Sequence, residues 1–121
     1  MPRLCFLSAV AFGSLAFAGP AVATEITLSL PGSAPVQRDN IDYDCGAAGR
    51  LMVEYINAGG VSLAVFTYED EPIVASNVLA ASGARYAGGH YVWWSKGRSA
   101  TLYDLMKGED AAPLAECLES Q

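Results

Sequence analysis

The chain holds a single histidine, His90, so any nucleophilic serine would have to take its base from that residue. His90 follows Gly88-Gly89, whose turn chemistry places it at an exposed hairpin tip where nothing holds an imidazole against a nucleophile. Paired carboxylates offer another catalytic route, as in glycoside hydrolysis, which needs two at a controlled separation. Asp42 and Asp44 share one strand face, and Glu69-Asp70-Glu71 crowd a turn. Both sets are solvated and lack the apolar surroundings that raise a carboxyl pKa for acid catalysis. The glycine pairs join strands rather than opening helices, so they make no phosphate-binding loop. Two cysteines and one histidine are a poor metal ligand set. These residue types point away from an enzyme and imply neither metal nor cofactor.

What remains is concentrated in ASGARYAGGHYVWWSKG, from Ala81 to Gly97. Ser82-Gly83 and Lys96-Gly97 each stand at a strand end, where a loop begins. Within Tyr91–Ser95, alternation puts Val92 and Trp94 on one face and Tyr91, Trp93 and Ser95 on the other. One tryptophan fills the core and the other reaches the surface. An outward Trp93 beside Tyr91 would form a binding surface, with Trp94 then inward. Arg85 pairs with a carboxylate or stacks on an aromatic ring. On these residues alone, a non-enzymatic module that binds a glycan or small ligand through Trp93 and Tyr91 is one reading.

The elements that must position these residues are short strands. Leu51–Asn57 alternates Leu51, Val53 and Tyr55 against Met52, Glu54 and Ile56. Asn57-Ala58-Gly59-Gly60 supplies a turn, and Val61–Tyr68 resumes the alternation, which together make a hairpin signal. Ile73–Ala80 is a further strand region, Ala84–Ala87 and His90–Ser95 flank Gly88-Gly89, and Ala100–Leu105 closes the series. Ala111–Glu119 reads as a short C-terminal helical segment. So many short strands indicate an all-β domain, and a small antiparallel barrel is the economical form because closure removes exposed edges. The domain is expected over 41–121. Thr24–Leu30 alternates as an edge strand would, and Pro31–Pro35 reads as a linker. Residues 24–40 are therefore an N-terminal extension, suited to pairing with a second copy in a homodimer.

Residues 1–23 read as a signal peptide: Arg3, an apolar run from Leu4 to Gly19, then small residues for cleavage after Ala23. Cys5 precedes the apolar run, the wrong side for lipid attachment, so no membrane anchor is expected and the product is periplasmic. In that oxidising compartment Cys45 and Cys117 pair most simply as a disulfide. Closing so long a loop contributes about 4 kcal/mol in the chain-entropy model, a large share of a small domain's stability. The formal net charge is −6, one unit more negative once Arg3 is removed. Such a surface disfavours nucleic acid and attracts cationic proteins at long range.

Several segments, in order, resemble the bacterial inhibitors of C-type lysozyme, the MliC/PliC group with membrane-bound and periplasmic members. They are IDYDCG (Ile41–Gly46), MVEYIN (Met52–Asn57), AASGARY (Ala80–Tyr86), YVWWSKG (Tyr91–Gly97) and ATLY (Ala100–Tyr103). The resemblance spans Ile41 to Tyr103, and the lack of a lipid-attachment cysteine after the apolar run favours the periplasmic type. It implies an eight-stranded antiparallel barrel whose Ser-Gly loop enters the lysozyme cleft, assisted by the lysine of the KG motif. Carried onto this chain, these are Ser82, Gly83 and Lys96, with Arg85 and Tyr86 bracing the loop and Trp93 adding contact surface. The chemistry fits a cleft that holds one protonated and one ionised carboxyl. An ammonium pairs with the ionised group and a hydroxyl bonds to either, which blocks substrate without a reaction.

Overall fold

A computed structural model describes residues 16–121 of the 121-residue chain. Most of the expected signal peptide lies outside the described residues. The chain divides into two units, up to Pro31 and Gly32–Gln121. In the first unit, the edge strand expected over Thr24–Leu30 is irregular, and Ile26 and Leu28 are exposed. A strand requires a neighbour to take its backbone hydrogen bonds, and alternation alone does not supply one.

The second unit is a barrel of β1 (Gln37–Asp44), β2 (Arg50–Ala58), β3 (Val61–Tyr68), β4 (Glu71–Val78), β5 (Ala84–Gly88), β6 (Tyr91–Lys96), β7 (Ser99–Asp104) and β8 (Ala115–Glu119). Each strand pairs with the next, antiparallel, and β8 returns to β1 through Tyr43↔Glu119 and Asp44↔Leu118. The first strand starts at Gln37, upstream of the expected Ile41. Its polar residues 37–40 pair with Asn57 to Glu54 along an exposed rim, where backbone pairing needs no apolar side chains.

The C-terminal helical segment expected over Ala111–Glu119 holds no helix: it is irregular up to Leu114 and a strand from Ala115 to Glu119. Ala, Leu and Glu favour helix locally, yet Ala115 and Cys117 alternate inward against exposed Glu116 and Leu118. Closing the barrel requires this strand, which pairs Ala100↔Cys117 on β7, and the Cys45–Cys117 disulfide ties it to the end of β1. The disulfide spans 72 positions and thus joins the domain's first and last strands. Helical structure among the described residues is limited to single 3-10 turns at Gly46–Ala48 and Leu105–Lys107.

The interior is packed by one face of every strand: Tyr43, Val53, Ala64, Phe66, Ala75, Trp93 and Leu102 are almost wholly buried. It also carries a chain of polar groups. The Trp93 indole Nε1 donates to the Tyr55 hydroxyl at 2.8 Å, and that hydroxyl lies 2.8 Å from the hydroxyl of Tyr43. Burial, followed by the bond to Tyr55, pushes the Tyr43 phenol far above its ordinary pKa, so it stays protonated and able to bond. Each polar atom is satisfied inside an apolar shell, which fixes one arrangement of the core.

Candidate functional site

The β5–β6 hairpin carries most of the residues that the sequence singles out. Its register pairs Arg85↔Trp94 and Tyr86↔Trp93, so successive pairs face opposite sides of the sheet. At its open end, the loop Leu79–Gly83 leads from β4 into β5 while β6 ends at Lys96. Val78 is the last residue of β4, earlier than the expected Ala80, which frees the whole of Leu79–Gly83 as loop.

Gly83 makes the approach of this loop to β6 possible. Its φ is +66°, a region that costs an L side chain, and a Cβ there would collide with the Ser95 carbonyl oxygen and Lys96 Cγ. The Trp94 indole Nε1 donates to the Ser82 carbonyl at 2.9 Å. The same indole holds the lysine, since the Lys96 ammonium stands 4.5 Å from the ring centroid. Arg85 approaches the ring as well, with its guanidinium carbon 5.7 Å from the centroid. One aromatic side chain therefore organises the loop and the two cations. Ser82 and Lys96 are exposed at this end, and Lys96 forms no ion pair among the described residues.

The structure thus brings Ser82, Gly83, Lys96 and Arg85 together, and it separates Tyr86 and Trp93 from them. Tyr86 is buried inside the barrel with its ring 5.7 Å from that of Tyr55. Burial, then the neighbouring Tyr55, raises its pKa. Tyr86 supports the loop only from beneath, through the sheet. Trp93 has no exposed surface and packs against Tyr43 and Phe66. The outward position assigned to Trp93 is therefore corrected: Trp94 is outward and Trp93 is core. Tyr91 is also buried, so a ligand surface made of Trp93 and Tyr91 does not exist. Trp94 is the site residue that the sequence reading missed. The signal was parity, because Trp94 shares its strand face with Lys96, and a lysine on a barrel strand belongs outside.

The residues considered for catalysis lie elsewhere. Asp42, Asp44 and Glu69–Glu71 are exposed, as expected of solvated groups. His90 sits at the opposite, turn end of the hairpin, where Nδ1 is 2.7 Å from Asp104 Oδ1. The imidazole is thus held by a carboxylate, not against a nucleophile, and that carboxylate also accepts from the Met106 backbone N–H. The hydrogen bond from His90, the largest cause, keeps the Asp104 carboxyl below its ordinary pKa.

Residues 43–111 match the family model described as membrane-bound lysozyme-inhibitor of c-type lysozyme. A protein of that name from Pseudomonas aeruginosa (strain PAO1) is 44% identical over 93 residues, covering 76% of this chain and 73% of the relative. A namesake from Cupriavidus necator is 47% identical over 78 residues, covering 64% of this chain and 62% of the relative. The crystal structure of Pseudomonas aeruginosa MliC in complex with hen egg white lysozyme is similar with a TM-score of 0.68 and 38% identity, covering 83% of this chain and all of that one.

Proposed function

The chain belongs to the family of membrane-bound lysozyme inhibitors of C-type lysozyme, and from that membership we propose that it binds a C-type lysozyme and blocks its cleft. The observation that carries the reading is the convergence of Ser82 and Lys96 on one exposed end of the β5–β6 hairpin. Lys96 pairs with the ionised catalytic carboxylate of the partner, and Ser82 donates to or accepts from either carboxyl. Gly83 and Trp94 hold both groups in place before the encounter, which lowers the ordering cost of binding. The inhibitory action needs no bond to be made or broken.

The charge distribution suits this partner. The whole chain is acidic, which steers it toward a cationic lysozyme, while the tip that enters the anionic cleft carries Lys96. We place the protein outside the cytoplasm, in the periplasm, with its leader removed after Ala23, where it protects the cell wall from host lysozyme. The test is a lysis assay: bacterial cell walls, hen egg white lysozyme, and increasing amounts of the purified protein. Clearing of the suspension should stop near stoichiometric addition. Undiminished lysis at large excess would overturn the proposal.

A further inference from the structure

A groove of about 300 Å³ lies on the outer face of the barrel, between β5–β7 and the loop that follows β7. Its lining includes Val92, Trp94, Tyr103 and Leu105, with Arg85 and Glu109 as its charged members. Val92 points outward, since it alternates with inward Trp93, yet it is only 2% exposed. A covered apolar residue on the outer face of a barrel marks a real concavity rather than open sheet. Arg85 is the more telling residue. The chain has thirteen acidic side chains against seven Lys and Arg, yet this half-buried guanidinium forms no ion pair among the described residues. Glu109 lines the same groove and forms none either, so the two do not neutralise each other.

We infer that this groove is a binding subsite for a single N-acylated amino sugar bearing a carboxylate. The volume is at the lower end of the roughly 300–1,000 Å³ typical of small-molecule sites, which suits one sugar ring rather than a chain. The Arg85 fork matches a carboxylate in geometry and charge. Leu105 offers apolar surface to an acyl methyl, and the Tyr103 hydroxyl and Glu109 carboxylate can bond sugar hydroxyls. Glu109 repels any anion, but a phosphate dianion about twice as strongly as a carboxylate, which favours the singly charged group. Trp94 joins the groove to the Ser82–Lys96 end, but the subsite does not depend on lysozyme inhibition.

The test is an NMR titration of the isotopically labelled chain with N-acetylmuramic acid, N-acetylglucosamine and acetate. N-acetylmuramic acid should shift the Trp94 indole and the Val92 and Tyr103 amides saturably, with a Kd of roughly millimolar order, as expected for so small a ligand. N-acetylglucosamine and acetate should each bind at least about tenfold more weakly, since each lacks part of the recognised group. Arg85→Gln should weaken the sugar acid by a similar factor, and Arg85→Lys, which keeps charge without the fork, should fall between. The buried Trp93 indole signal reports that both variants stay folded. Acetate binding as tightly as the sugar acid, or Arg85→Gln and Arg85→Lys both binding like the parent, would overturn the assignment. So would the absence of saturable shifts in the parent chain.

Discussion

On the inner face of the β5–β6 hairpin, Tyr86 and Trp93 pair in a sealed interior, and the Trp93 N–H bonds to the Tyr55 hydroxyl. On the outer face of the same hairpin, Arg85 and Trp94 pair in register, and the Trp94 N–H bonds to the Ser82 carbonyl of an exposed loop. The two faces use the same device, a tryptophan whose indole N–H is hydrogen-bonded, for different ends. Inside, the indole satisfies a polar chain and fills volume, so its loss is felt as stability. Outside, a partly exposed indole holds a loop and a lysine, so its loss should be felt at that end of the hairpin more than in the core. Adjacent tryptophans in one strand therefore serve the core and the outer loop by parity alone.

Trp93→Ala should produce the largest change that tests this division. It opens a cavity beside Tyr43 and Phe66 and removes one of the two hydrogen bonds of the Tyr55 hydroxyl, and should cost about 3–5 kcal/mol in denaturant unfolding. Trp94→Ala should cost clearly less, because that ring is partly solvated. Equal losses at the two positions would break the comparison.

Lys96→Ala should leave folding unchanged and weaken lysozyme inhibition by about 2–5 kcal/mol, part of which is the partner's carboxylate left buried without a counterion. Ser82→Ala should follow with about 1–3 kcal/mol, since only a neutral hydroxyl is lost. Both are read from inhibition constants alongside thermal melts. Folded variants that inhibit like the parent would remove this end of the hairpin from the interface.

The same division explains what could be read in the sequence. Period-two alternation located the strands from β2 to β7 well, because a barrel strand must bury one side and solvate the other. The disulfide was legible from export and an even cysteine pair. Two things were not. The strand at Ala115–Glu119 contradicts its local propensity, and only the closure of the barrel on β1 decides it. The face of the tryptophans needed a cross-strand partner: Trp93 opposes buried Leu102 on β7, whereas Trp94 opposes Thr101. Those pairings depend on register, which alternation within one strand does not set. The family resemblance named Ser82 and Lys96, which stand at one end of the hairpin, whereas Trp93 faces the core beside Tyr86.

The smallest expected effect contrasts the two ends of the hairpin rather than its faces. At the turn end, His90 and the Met106 backbone N–H both bond to Asp104 Oδ1, and its carboxyl titrates below the ordinary range. A carboxyl depressed in the folded state binds its proton more readily when the chain unfolds. Its contribution to stability is therefore present above the unfolded pKa, near about 4, and is lost as pH falls through the lower folded value. Asp104→Asn removes this ionisation. The variant's melting temperature should lie below the parent's at neutral pH, and the gap should narrow as the solution is acidified below about pH 4. Inhibition by the variant at neutral pH should match the parent, because Ser82 and Lys96 occupy the other end of the hairpin. A gap in melting temperature that stays constant down to pH 2 would show that the His90–Asp104 contact contributes nothing through charge, and a loss of inhibition would show that the two ends are not independent.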